Sequence, residues 1–481
     1  MPQLPRNRRF LVLGVCCLSL LIFGLDNTIV NVALPAIRRD LHASISGLQW
    51  TIDAYTLVVA SFLMLAGSTG DRLGRRRTFQ AGLVVFTIGS LLCSLAPGLG
   101  WLVAFRMLQA VGGSMLNPVA MSIIVNTFTD PRERARAVGL WGAVYGVSLA
   151  LGPVVGGLLV QSVGWRGIFW VNIPVGVAAI VLTALFVPES RAGRPRRPDP
   201  GGQLLVIVTL AALVYAIIEG PRSGWASPPI LGLFGLAAVA LAALAGYESR
   251  RREPLLDIRF FRSAPFAGAT LIAISALAGL AGFMFLNTIY LQDVRGLSAL
   301  QAGLMMIPIA AGTVLLAPLA GRIVGRRGPR LPLLVAGVGM TAGALLLTQL
   351  TAAVPLGALA AAYAVFGAGF GMVNVPITNT AVSGMPRAQA GVAAAVASTS
   401  RQTGAALGVA VAGSAVTSAL HGPVQAGFAQ ASHVGWWIVV GCGLAVGALG
   451  MITTGPWARG TAARTADRLL AGEARVPAGL P

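Results

Sequence analysis

Three charged side chains, Asp26, Asp53 and Arg106, lie inside long runs of apolar residues. A charge in hydrocarbon costs roughly 2.5–3.5 kcal/mol on insertion scales, so such groups pair with one another or face a water-filled cavity. Asp26 falls in the later part of the first apolar run, and Asp53 and Arg106 fall early in the second and fourth. If successive runs cross a bilayer in alternate directions, all three share one depth. The expectation is that Asp26 and Arg106 pair, and that proton or substrate binding changes the pairing. Burial favours a neutral carboxyl and a neighbouring guanidinium favours the ionised one, so a carboxyl poised between them could take up and release a proton. Arg106 stays charged and would tune a carboxyl rather than carry the proton. The alternatives are a fixed structural ion pair for Asp26 and exposure to outer water for Asp53.

The elements that hold these charges are membrane helices. Of 481 residues, 56% are hydrophobic and 10% charged, with a mean hydropathy of +0.79. A helical crossing needs about 20 apolar residues. Fourteen runs qualify: 10–33, 47–70, 79–96, 101–125, 136–161, 166–187, 203–220, 229–248, 265–291, 298–320, 331–350, 354–378, 392–418 and 434–455. Of the 35 basic residues, all arginine, 28 lie at the termini or after even-numbered runs and five after odd-numbered ones. By the positive-inside rule both termini are expected in the cytoplasm of a multi-pass protein of the cell membrane. The net charge of +20 is spread over short loops, so it does not suggest nucleic acid. With no lysine there is no phosphate loop of the Gly-Lys-Ser/Thr type. The cysteines Cys16, Cys17, Cys93 and Cys442 sit inside apolar runs and offer no zinc or disulfide spacing. Neither metal nor cofactor is expected, and the scarcity of histidine and paired acids argues against an enzyme.

The chain repeats weakly. Gly70-Asp-Arg-Leu-Gly-Arg-Arg76 is echoed by Gly321-Arg-Ile-Val-Gly-Arg-Arg327, and Asn27-Thr-Ile29 by Asn287-Thr-Ile289. Helices 1–6 therefore match helices 9–14, a plan of two parallel halves around a central site. The expected organisation is a six-helix bundle over 1–190, a linker with two inserted helices over 191–262, a second six-helix bundle over 263–458 and a cytoplasmic tail over 459–481. Arg194-Pro-Arg-Arg-Pro-Asp-Pro200 leads into the insertion.

Six motifs in order carry a resemblance that covers the whole chain. They are Leu25-Asp-Asn-Thr-Ile-Val-Asn-Val-Ala-Leu-Pro35, Gly67-Ser-Thr-Gly-Asp-Arg-Leu-Gly-Arg-Arg-Arg77, Arg106-Met-Leu-Gln-Ala-Val-Gly112, Gly146-Val-Ser-Leu-Ala-Leu-Gly-Pro-Val-Val-Gly-Gly157, Trp165-Arg-Gly-Ile-Phe-Trp-Val-Asn-Ile-Pro174 and Arg401-Gln-Thr-Gly404. The chain resembles the fourteen-helix drug:proton antiporters of the major facilitator superfamily, with Ala110 where the third motif usually has glycine. The resemblance implies an all-α fold of two six-helix bundles plus two inserted helices, and proton-driven export of amphipathic compounds such as antibiotics or dyes. The lipid bilayer, protons and a small amphipathic substrate are the implied partners, with a monomer expected and the proton gradient as the only energy source. A dedicated exporter or importer of one metabolite is the alternative; an intramembrane enzyme is a more distant one.

The remaining candidates take roles within that frame. In the family the loop after helix 2 locks the inner gate, which points here to Gly67, Gly70, Asp71, Arg72, Gly74 and Arg75, with Asp71 capping a helix or pairing with Arg136. Gly70 and Gly74 are expected to supply positive φ in a tight loop. Gly142, Gly146, Gly152, Gly156 and Gly157 give helix 5 a smooth face for close packing, and Pro153 is expected to bend it. Asn27, Asn31, Asn117, Tyr145, Asn287, Tyr290, Asn374 and Arg401 are the candidates for a mostly apolar cavity with polar anchors, with Tyr55, Trp141, Phe283, Phe285 and Phe370 as further aromatic faces. Arg401 has no acidic residue in neighbouring runs and would hold backbone carbonyls or an anionic group. Glu219 and Asp293 are expected to reach water at outer helix ends.

Overall fold

A computed structural model describes residues 5–193, 199–251, 254, 257–383, 385 and 389–474. The linker segment 194–198 therefore lies outside the described residues. Eighteen α-helices follow in order: α1 (Arg6–Asp40), α2 (Ile45–Leu73), α3 (Arg75–Ser94), α4 (Leu99–Thr127), α5 (Pro131–Val163), α6 (Gly167–Trp170), α7 (Asn172–Phe186), α8 (Pro200–Ser223), α9 (Pro228–Glu248), α10 (Ala264–Ile289), α11 (Ala299–Met305), α12 (Ile307–Arg327), α13 (Arg330–Leu345), α14 (Leu356–Gly371), α15 (Asn374–Val382), α16 (Ala390–Ala419), α17 (Val424–Thr453) and α18 (Pro456–Ala474). No strand occurs among the described residues. A 3-10 turn (Ile258–Arg262) precedes α10, and a π turn (Tyr290–Val294) ends it.

Among the described residues, twelve helical stretches are long and apolar enough to cross a membrane. Two further helices fall outside that set for different reasons. α13 is short, at 16 residues. α16 has 30 residues but carries Ser398, Thr399, Ser400, Arg401, Gln402 and Thr403 in succession, which lowers its mean hydropathy. α6–α7, α11–α12 and α14–α15 are each one crossing with a break. The protein is a multi-pass membrane protein.

Local chemistry sets the helix ends. Asp130 caps α5, accepting from the Arg132 and Glu133 amides ahead of Pro131; such a side chain satisfies amides that a helix start leaves unpaired. Asp199 does the same for Gly202 at the start of α8, and Ser298 with Gln301 forms a capping box on α11. Gly74, at φ +115°, turns the chain from α2 into α3, a backbone that favours glycine.

The second half repeats the packing of the first. α1 lies on α5 as α10 lies on α16, α2 on α4 as α12 on α14, and α3 on α7 as α13 on α17. α8 packs on α9 and also touches α2 and α16, one helix from each half. The C-terminal segment, expected as a tail, is helical over Pro456–Ala474. Its buried Ala458, Ala462, Thr465 and Leu469 recur at helical spacing, and the Thr461 hydroxyl accepts the Ala264 amide at 2.9 Å.

Candidate functional site

The first site is a closed polar network between α1, α4 and α7. The Asp26 and Arg106 side chains are buried, and Nη1 of Arg106 donates to Oδ2 of Asp26 at 2.6 Å. Gln109, one turn after Arg106, receives a second Nη1 bond at 2.8 Å and donates to Oδ1 of Asp26 at 2.9 Å. Asn172, at the break between α6 and α7, donates to the same Oδ1 at 2.9 Å and to Ser90 at 3.1 Å. Above the guanidinium lies the Tyr55 ring, 4.0 Å from its centroid. The expected pair exists, and Asp26 accepts from three donors. A buried pair with its remaining lone pairs satisfied holds helices in place, and breaking it strands a charge.

Asp53 has the opposite surroundings. It is fully buried, and neither carboxyl oxygen has a hydrogen-bond partner. The expected alternative of exposure to outer water does not hold. Its helix neighbours place it on the seam between the halves. One turn before it, Gln49 donates to the carbonyls of Val409 and Ala410 on α16, at 3.2 and 2.8 Å. One turn after it, Leu57 packs with Ala406 and Ala410 of α16 and Val214 and Ile218 of α8. Residues four apart share a helix face, so Asp53 faces the same seam.

Further contacts clasp the halves at the end of the bundle away from the chain termini, called here the far end. Gln292 donates to the Val32 carbonyl at 2.8 Å and Arg38 pairs with Asp293 at 3.1 Å. On α5, a Cβ at Gly157 would lie 2.5 Å from the Ala299 carbonyl oxygen, and one at Gly303 on α11 would lie 2.2 Å from that of Pro153. Gly152 and Gly156 press on Thr28 and Ile29 of α1. Gly142 has no neighbour within 4 Å of a Cβ, and Gly146 has only Val314 at 3.9 Å. The smooth face expected of helix 5 is therefore used over its far half only, and the halves part toward the termini end.

Several sequence expectations are corrected. Asp71 neither caps a helix nor meets Arg136; it sits in the last turn of α2 and pairs with Arg75 at 2.7 Å, while Arg136 is exposed. Gly70 lies within the helix, and what it supplies is room for α4, since a Cβ would lie 3.0 Å from Val119. Glu189 accepts the Arg76 amide at 3.1 Å and so ties α3 to the segment after α7. Gly67 lies loosely against Pro118, at 3.6 Å, and Arg72 is exposed. Glu219 accepts from the Trp50 indole at 2.9 Å, and Asp293 is held by Arg38, so neither acid simply reaches water.

The model of the Major Facilitator Superfamily matches residues 16–409. The chain belongs to that superfamily. The Multidrug resistance protein Stp of Mycobacterium tuberculosis is 37% identical over 408 residues, which is 85% of this chain and 76% of the relative. The Tetracenomycin C resistance and export protein of Streptomyces glaucescens is 36% identical, over 85% of this chain and 76% of its own. The Puromycin resistance protein pur8 of Streptomyces alboniger is 37% identical, over 87% and 84%. A bacterial homolog of the lysosomal transporter Spinster superposes with a TM-score of 0.67 at 17% identity, covering 96% of this chain and 98% of its own, and so shares the fold.

In this major facilitator fold the cavity candidates divide. Asn27, Asn117, Tyr145, Asn374 and Arg401 are partly accessible. Arg401 donates to Thr378 on α15 at 2.6 Å and to Ser398 at 3.4 Å, and no acidic partner for it occurs among the described residues. Asn31 is buried and bonded to carbonyls of its own helix. Asn287 and Tyr290 are fully buried, a correction to their expected place in the cavity. Asn287 accepts from Tyr363 at 2.5 Å, and Tyr290 donates to the Thr351 carbonyl at 2.6 Å. Phe283, Phe285 and Phe370 are buried as well, and Tyr55 covers Arg106. Gln109 and Asn172 were not singled out from sequence. The signal for Gln109 was its place one turn from a buried arginine; Asn172 stood unread within Trp165–Pro174.

Proposed function

We propose that this major facilitator protein is a proton-driven exporter of small amphipathic compounds, of the fourteen-helix drug antiporter type, set in the cell membrane with both termini cytoplasmic. Support for export comes from the likeness to proteins named for drug resistance and export. The termini end is then the cytoplasmic end, and the parted halves leave a cleft that a cytoplasmic compound enters. Asn27, Tyr145, Asn374 and Arg401 supply its polar anchors. No resident cofactor takes part: one charge moved across 100 mV gains about 2.3 kcal/mol. The chain works as a monomer.

The observation that carries the coupling is Asp53. An ionised carboxyl without a donor is a far costlier occupant of a closed apolar seam than the neutral acid. Far-end closure shuts Asp53 between α2, α8 and α16, so the closed state favours a loaded proton, and opening the seam to water permits release. Asp26, bonded to three donors, acts instead as the bearing that keeps α1, α4 and α7 rigid. From sequence, proton or substrate binding was expected to change the Asp26–Arg106 pair.

Proton-driven dye uptake into everted liposomes tests the assignment. Asp53→Asn should abolish transport driven by the pH difference while leaving exchange of dye between the two sides intact. If Asp53→Asn transports as wild type does, the coupling role is lost. If wild type moves dye equally well with the pH difference collapsed, proton drive itself fails.

A further inference from the structure

The two inserted helices do more than lengthen the chain. α8 runs along the whole seam between α2 and α16. Near the far end Val214 and Ile218 pack on Leu57, Ala406 and Ala410, and the Ser414 hydroxyl donates to the Ile217 carbonyl at 2.7 Å. Nearer the termini end α2 and α16 diverge. There Gln203 of α8 donates to the Ser61 carbonyl of α2. A cavity of about 170 Å³ fills the fork, walled by α2, α8, α9, α10 and α16.

The chemistry of the walls favours one kind of guest. Thr209, Thr270 and Ser400 line the cavity, yet each hydroxyl is spent on a carbonyl of its own helix, at 2.7, 3.0 and 2.8 Å. Most of the wall therefore presents methyl and methylene groups, with Ser61 and Thr403 as its other hydroxyl-bearing residues. An apolar cavity of roughly 150 Å³ stays dry and takes a benzene-sized guest. Thr399 also lines the cavity, and its buried hydroxyl oxygen has no hydrogen-bond partner. That oxygen has almost no exposed surface, so a guest meets the rest of the Thr399 side chain. Exposed Leu241, one of the wall residues on α9, places the cavity next to lipid.

We infer that this fork is a binding site entered from the bilayer, which takes the ring-sized apolar part of an amphipathic molecule dissolved in the leaflet at the termini end. The inference rests on the export function proposed above and gives α8 and α9 a task within it. They form the lipid-facing wall of an entrance between the two halves. Walls from both halves mean that rocking reshapes the site, which hands the guest to the cleft.

Photolabelling of the full chain in liposomes, with no gradient, tests the site. The probe is an iodophenyl diazirine dissolved in the bilayer, read by peptide mapping. It should label the segment of α16 around Thr399 and Thr403. Filling the cavity with Ala60→Phe and Val206→Phe should cut that labelling at least fivefold and leave labelling at exposed Val239 and Leu315 unchanged. Leu210→Ala, which enlarges the cavity, should raise it and guards against misfolding of the filled variant. Unchanged α16 labelling in both variants would overturn the site. With rhodamine 6G as cargo, the filled variant should raise KM at least fivefold with kcat within twofold; a fall in kcat at constant KM would overturn the entrance role. If wild type exports no rhodamine but the labelling pattern holds, the export function fails and the site stands.

Discussion

The two halves solve one packing problem with different chemistry. In the first half the opening helix and the fourth are joined by a buried ion pair, Asp26 with Arg106 at 2.6 Å. In the second half the matching helices, α10 and α14, are joined by a neutral bond from Tyr363 to Asn287 at 2.5 Å. Around the ion pair lie amides: Gln109 and Asn172. Around the neutral bond lie rings, with Phe283 stacked on Phe366 at 4.5 Å and edge-on to Tyr363 and Trp436 at 5.2 and 5.3 Å. Burying an ion pair requires every lone pair to be satisfied, whereas an aromatic cluster is held by area and ring geometry. The first half is therefore joined by charge and the second by an aromatic cluster, with Arg401 at its edge bonded to Thr378 and Ser398.

Breaking the ion pair is the severest test of that contrast. Arg106→Met strands the Asp26 carboxyl, and removing one partner of a buried pair costs about 3–5 kcal/mol. Thermal unfolding should show a large drop and transport should be lost. Adding Asp26→Leu to it should restore much of the stability, because two apolar side chains replace a pair that is costly to desolvate. A fall of the same size in the double variant would mean that the network contributes more than pairing.

Asp53→Asn separates charge response from stability within the same half. Proton-driven transport should fall at least tenfold while unfolding moves little, since no bond to the carboxyl exists to be lost. In the second half, Tyr363→Phe leaves Asn287 with a buried unpaired acceptor, at a cost of about 1–3 kcal/mol. Its unfolding midpoint should drop while the dependence of transport on the pH difference stays as in wild type. A changed pH dependence in Tyr363→Phe would erase the distinction between the halves.

The smallest stability effect is expected at the last turn of α2. Asp71→Asn removes a partly exposed pair with Arg75, and such pairs contribute about 0–1 kcal/mol. Unfolding should barely change. A transport defect in that variant without a stability defect would assign the corner between α2 and α3 to gating.

Much of the fold was legible in the chain. Apolar length fixes the crossings, and α16 was found in spite of its polar run because its flanks are apolar. Where helices break was not read, although the interruption at Val171, next to Asn172, lies three residues ahead of Pro174, which has no amide to donate. Of the site, the pairing of Asp26 with Arg106 was legible because two opposite charges in hydrocarbon at one depth have few other partners. The surroundings of Asp53 were not. Its exposure depends on which helix lies against α2, and hydropathy carries no information on helix neighbours. The same limit explains Asn287 and Tyr290. Their polarity suggested a cavity, but Tyr363 and the Thr351 carbonyl reach them from helices far along the chain.

By itself the sequence determined that this chain spans a membrane many times, in two related halves with an inserted helix pair, and that three charges share a depth in the first half. Those properties follow from the cost of putting polar atoms in hydrocarbon, which each segment meets on its own. Only the tertiary structure decided that one aspartate is saturated with donors and the other has none, and that the first inserted helix lies against both α2 and α16. Hydrogen bonds act over about 3 Å, so which groups meet depends on how helices distant in the chain are brought side by side.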